Sequence, residues 1–139
     1  MDPIESSIIK SGIGRSFETG LAAYLVVETL ASEQLNLGLS VIIDAVNSVK
    51  EARDMWRDLA DRHGACLIII ECVLDRDIHK QRIESRVRNM QGIPEVTWAD
   101  VEKRRNEYLK WEEKRLVLDT SDSPANNLEK ALEYISSNA

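Results

Sequence analysis

Two groups of side chains in this sequence have the types and spacing that chemistry on a charged substrate needs. The first is Asp44, which closes the apolar run Val41-Ile42-Ile43 and precedes Ala45-Val46-Asn47. A carboxylate at the carboxyl end of a buried strand, beside a helix N-terminus, stands where open α/β sheets hold ligands and metal ions. The second is the arginine set Arg82, Arg86 and Arg88. His79, Arg82 and Arg86 recur at i, i+3 and i+7, which puts them on one helical face. A planar guanidinium binds two phosphate oxygens at once. A carboxylate can hold Mg²⁺, usually through water, while arginines neutralise a phosphoryl group in transfer. Each part alone also has a plain reading: Asp44 as the cap of the next helix, the arginines as a solvated face pairing with Glu84 and other acids.

The elements that must position these residues follow from periodicity and caps. Apolar residues at Phe17, Leu21, Tyr24, Val27, Ala31 and Leu35 predict a helix from Ser16 to about Leu37, with Gly38 at its end. Residues 40–44 read as a strand buried on both faces. Ser48 and Glu51 have capping-box spacing for a helix from Val49 to about His63, stopped by Gly64. Ala52, Met55, Trp56, Leu59 and Ala60 form its inward stripe, and residues 65–73 predict a second strand buried on both sides. Asp75 caps a helix with Ile78, Ile83 and Val87 on one side. Gln91-Gly92-Ile93-Pro94 breaks it, and Thr97 starts another with Trp98, Val101, Tyr108 and Leu109 as apolar contacts. Arg115 to Leu118 is a short strand running into Asp119-Thr120-Ser121. Ser123-Pro124 opens a last helix carrying Leu128, Ala131, Leu132 and Ile135. Strands alternating with helices predict an α/β fold with a largely parallel sheet. Residues 6–11 are ambiguous. Gly12-Ile13-Gly14-Arg15-Ser16 imitates a phosphate loop, but Ile9 occupies the earlier glycine position and no buried strand precedes it, so it reads as a turn.

Length and charge bound the rest. At 139 residues the chain suits one domain with an ordinary core. A net charge of −6 argues against general nucleic-acid or membrane-surface attraction. Charge is uneven: Arg76 to Arg105 holds eight Lys or Arg against five Asp or Glu, which leaves −9 on the remainder. Nucleic-acid binding through that basic island is a weak third reading, because Trp98 and Tyr108 suit a core better than stacking platforms. No apolar segment reaches a membrane span, and the first residues carry no signal-peptide pattern. Cys66 and Cys72 would lie too far apart on one strand for a disulfide, and read as buried, reduced thiols of a cytoplasmic protein.

Taken together, these residues resemble the small-molecule kinases of the P-loop superfamily, the AAA-type ATP-binding group related to chloramphenicol phosphotransferase, zeta toxin and polynucleotide kinase. The resemblance is carried by residues 38–47, Arg53 and Trp56, then Arg82-Ile83-Glu84-Ser85-Arg86-Val87-Arg88, Pro94, Trp98 and Leu116-Val117-Leu118-Asp119-Thr120, in the family's order. It implies a single kinase-like domain over 1–139, a three-layer parallel sheet flanked by helices, with 75–111 as a lid-like helical segment. By resemblance, Asp44 is the Walker-B-like acid near Mg²⁺ and substrate. Arg82, Arg86 and Arg88 belong to the lid over the ATP phosphates, and Thr120 and Ser121 flank the adenine. Asp2 resembles the acid ending the family's second strand, where it binds or deprotonates the acceptor hydroxyl. ATP and Mg²⁺ are the implied cofactors, and a small molecule or nucleotide the implied substrate. The role of Arg53 and the oligomeric state stay open.

The sequence also departs from that family. Nothing in it supplies the first strand and the G-x-x-x-x-G-K-[ST] loop whose amides and lysine hold the β- and γ-phosphates. If Asp2 ends the second strand, a βαβ unit implies about thirty residues before it. The expectation is an N-terminally truncated domain, or one whose strands at 40–44 and 66–72 have closed up and pair directly. Such a chain is expected not to transfer phosphate efficiently. The alternative reading is a non-catalytic α/β remnant that binds an anion or a partner, and a sheet without its central strand exposes edges that invite association.

Overall fold

Short-range chemistry sets most helix boundaries. The computed structural model describes residues 1–88 and 93–138, and the chain runs α1 (Asp2–Lys10), α2 (Phe17–Asn36), α3 (Lys50–His63), β1 (Ile70–Val73), α4 (Arg76–Ser85), α5 (Trp98–Glu107), β2 (Leu116–Asp119) and α6 (Pro124–Asn138). The ambiguous N-terminal stretch is helical. Pro3 sits in its first turn with Asp2 and Glu5, and Lys10 in its last, the placement that complements a helix dipole. Residues 11–16 form the α1–α2 turn. Ser16 gives its hydroxyl to a reciprocal cap with Thr19, and Arg15 lies 3.7 Å from Glu5.

At the far end of α2, the Leu39 amide donates to Gln34 O at 3.0 Å and Gly38 takes φ +73°. That closure needs a left-handed residue, which glycine supplies without a Cβ penalty. Gly64 ends α3 the same way, at φ +60°. The expected capping box at Ser48 does not form. Val49 is the N-cap of α3 and offers no side-chain acceptor, while the Ser48 carbonyl accepts from the Leu109 amide at 3.2 Å. Asp75 caps α4 through two amides, Thr97 and Asp100 form a true capping box on α5, and Ser123 accepts from the Asn126 amide.

The sheet is smaller than the sequence predicts. β1 and β2 pair in parallel, with Ile70 opposite Leu116 and Val73 opposite Asp119, and the intervening α4 and α5 supply the crossover that parallel strands require. Residues 40–44 form no ladder among the described residues. They alternate in burial, with Val41 and Ile43 half-buried and Ile42 93% exposed, but a strand exists only when a neighbour takes its backbone groups. The expected direct pairing of 40–44 with 66–72 is therefore absent, and the architecture is α/β and helix-rich rather than a full three-layer sheet.

The second predicted strand is shorter than 65–73 and is not buried on both sides. Cys66 and Cys72 are exposed free thiols, because a two-stranded sheet leaves its outer positions uncovered. Val87 is likewise exposed, and the turn residues Gln91 and Gly92 lie outside the described residues.

The core lies between α2 and α3. Ala31, Trp56 and Leu59 are its buried centre, and Tyr24, Val27, Leu35, Val41, Ile43 and Met55 pack around them. One consequence is directly measurable by chemical denaturation. Ile43→Ala is expected to cost about 2 kcal/mol, whereas Ile42→Ser on the open face is expected to stay within about 0.5 kcal/mol of the parent.

Candidate functional site

The crossover builds a basic pocket. α4 begins where Asp75 stops β1 from continuing, and its face carries His79 and Arg82 toward α5 and the β2–α6 loop. Arg86 follows the last helical turn, yet it lines the same cavity of about 410 Å³ with Leu74, His79, Arg82, Ile83 and Ser85. The i, i+3, i+7 face seen in the sequence is thus kept past the helix end.

α5 holds α4 through aromatic and ionic contacts. The Trp98 ring meets His79 edge-to-face at 5.7 Å, Arg76 lies over Trp98 at 5.4 Å, and Arg76 pairs with Glu102 at 2.9 Å. Arg82 donates to the Thr120 carbonyl at 3.0 Å, so the structure brings these two predicted residues together. Thr120 is itself fixed to the end of β1, its amide and hydroxyl both donating to Val73 O.

Among the described residues neither Arg82 nor Arg86 has a carboxylate in ion-pair distance. Burial, followed by the charges of Arg105, Arg86 and Arg82, holds the His79 imidazole below its usual pKa. The pocket is therefore a concave surface that presents two guanidiniums without a direct ion pair among the described residues. Asp119 beyond it is kept below the ordinary carboxylate range by the Ser121 amide at 2.8 Å, so it stays ionised at neutral pH.

Arg88 goes elsewhere. Its guanidinium binds the Asp2 carboxylate at 2.6 Å and lies 3.6 Å from Glu95, and its amide donates to Glu95 at 2.8 Å. Asp2 and Arg88 thus meet across 86 positions, in a group apart from the His79 pocket. The backbone nitrogen of Met1 donates to the Asp44 carbonyl at 3.1 Å, which sets the start of α1 beside Asp44. The Asp44 carboxylate is exposed and has no ion-pair partner among the described residues. Tyr24 closes this corner; burial raises its pKa, and Asn47 and Arg104 oppose the rise.

Sequence reading missed three parts of this arrangement. Asn47 takes φ +48° and accepts the Trp56 indole N–H at 2.8 Å, for which the small polar turn was the available signal. Arg53 clamps residues 109–110, and Glu95 braces Arg88; neither pairing has a local signature.

The donor set fits phosphate better than a metal ion. No group of three or more His, Cys, Asp or Glu side chains gathers among the described residues, and a lone Asp44 offers one carboxylate where Mg²⁺ wants six oxygens. Nor does any helix among the described residues have the length and apolarity to cross a membrane. A family model described as an AAA domain matches residues 10–108, a stretch that includes Asp44, Arg82, Arg86 and Arg88. None of the curated proteins matches the chain.

Proposed function

Because the chain belongs to the AAA-domain family of P-loop NTPase-like proteins, we propose that it binds the phosphate groups of a nucleotide, ATP in the first instance, in the pocket between α4, α5 and the β2–α6 loop. The observation that carries this reading is that Arg82 and Arg86 share one cavity with no carboxylate in ion-pair distance among the described residues. Two forked guanidiniums can take oxygens of one tetrahedral phosphate, and the Arg82–Thr120 bond pre-sets one of them. Residues 75–111 act as the lid-like segment over those phosphates.

The family activity we assign to this arrangement is phosphoryl transfer to a hydroxyl of a small molecule or nucleotide. Asp44 is then the acid nearest the acceptor, and Asp2 is held in reserve by Arg88. Mg²⁺ would come with the nucleotide, held mainly by its phosphates, and would supply charge neutralisation. The 139-residue sequence contains no G-x-x-x-x-G-K-[ST] run, so these residues grip phosphate from one side only. This supports binding without efficient transfer, which is the second reading: a non-catalytic anion-binding α/β domain.

Calorimetry with ATP and Mg²⁺ separates these outcomes. Arg86→Ala and Arg82→Ala are each expected to weaken binding about tenfold, since a hydrogen bond to a charged group contributes about 1.5–3 kcal/mol before solvent screening. Unchanged affinity in both variants would overturn the phosphate pocket. ATP-dependent phosphorylation of any acceptor by this chain would overturn the non-catalytic reading.

A further inference from the structure

We propose that His79 is a proton-linked ligand of the same pocket, so that its imidazole takes up a proton as a phosphate-type oxyanion binds between Arg82 and Arg86. This rests on the phosphate-pocket reading above and adds its regulation by pH. The geometry comes first. His79 lines the cavity with both arginines, and the Trp98 edge fixes its ring plane.

Charged groups lie near it on each neighbouring element among the described residues. On α4 they are Arg82, with Arg86 just past the helix end, while Arg76 one turn back is engaged by Glu102. From α5 come Arg105 and that same Glu102, and from the end of β2 Asp119, whose carboxylate feels the charges of Lys130 and Arg82 without an ion pair to either. The three arginines that act on His79 all oppose its protonation, and burial acts in the same direction. An imidazole in that setting is neutral at pH 7 and offers the pocket a weak hydrogen bond. A bound dianion reverses the balance, because it offsets the arginine charges and accepts the N–H of the imidazolium. The protonated form then becomes the better ligand, and by linkage the anion binds more tightly as pH falls.

Histidine numbers make the test clean. The chain has two, and the other, His63, bonds Ser32 at 2.8 Å on the α2–α3 side. Sulfate is the right probe, since it has the shape and charge of a phosphate dianion but does not titrate between pH 5 and 8. Its affinity is expected to rise severalfold from pH 8 to pH 5.5, about tenfold being the ceiling that one unit of pKa change sets, and to lose that slope in His79→Gln. In the unsubstituted protein, saturating sulfate should move the NMR titration of the His79 ring upward and leave that of His63 in place. Sulfate binding that weakens in Arg86→Ala but shows the same pH profile in His79→Gln, or a His79 titration indifferent to sulfate, would overturn the role of His79 alone. No sulfate binding at any pH would overturn the pocket and this proposal together.

Discussion

Trp56→Ala is expected to lower the unfolding free energy by about 3–5 kcal/mol, the usual cost of truncating a buried aromatic. The size follows from how little else forms the core. Trp56 is 7% exposed, stacks on Tyr24 at 5.9 Å, and touches the same cluster as Ala31 and Leu59. Its indole N–H also donates to the Asn47 side chain at 2.8 Å, and Asn47 stands at φ +48°, a region that few residues other than glycine enter easily. Removing the ring therefore leaves a cavity between α2 and α3 and releases the turn that carries residues 41–46 onto them. Trp56→Phe keeps most of the volume and drops the hydrogen bond, so it should cost about 1 kcal/mol for that bond plus a smaller packing loss. Urea denaturation at constant m-value reads both directly. A domain stabilised by about 5–15 kcal/mol would be brought near its limit by the alanine variant. A loss under about 1 kcal/mol for that variant would mean that the α2–α3 cluster is not what holds the fold.

What could be read from the sequence was what is decided within one or two turns of chain. α2, α3 and α6 follow from periodicity, with Gly38, Gly64 and Ser123 marking ends of these helices, and Asp75 and Thr97 mark the starts of α4 and α5, because a cap needs only neighbours. The face shared by His79, Arg82 and Arg86 was legible for the same reason. α1 was not read, though Pro3, the early acids and Lys10 were its signals, since nine residues of weak periodicity do not outweigh flanking glycine and serine.

The remaining differences are non-local. Residues 40–44 have the apolar run of a strand buried on both faces, yet only Val41 and Ile43 turn inward while Ile42 is exposed, and no partner's backbone makes a ladder with them among the described residues. The cysteines looked buried because the run around them is apolar, and they are exposed because cover depends on how many strands assemble. Arg88 reads in the sequence beside Arg82 and Arg86, and in the structure it meets Asp2, a contact that no spacing rule encodes.

Arg53 carries the other large expected effect. It is 5% exposed, and all three of its guanidinium nitrogens donate to carbonyls: Nε to Asn47 at 2.9 Å, and the terminal pair to Lys110 at 3.0 Å and Leu109 at 2.5 Å. The cation lies over Trp111 at 3.9 Å and Tyr108 at 5.2 Å, and no carboxylate pairs with it among the described residues. A buried charge without a counter-ion survives only where dipoles and ring faces replace its water, so the fork and the two rings must act together. Arg53→Ala strands three carbonyls and frees residues 108–111, and about 3–5 kcal/mol of stability should be lost, as when one partner of a buried ionic contact is deleted. Arg53→Lys keeps the charge but cannot reach three acceptors with planar geometry, so it should recover less than half of that loss.

The link to the site runs through α5. Residues 108–111 follow it directly, and Trp98 at its start orients His79, so undocking its end should weaken sulfate binding severalfold although Arg53 touches nothing in the pocket. A double-mutant cycle between Arg53→Ala and Trp111→Ala decides the account. Coupling above about 1 kcal/mol fits a clamp in which fork and ring depend on each other, and strict additivity would show that Arg53 is held by its carbonyls alone.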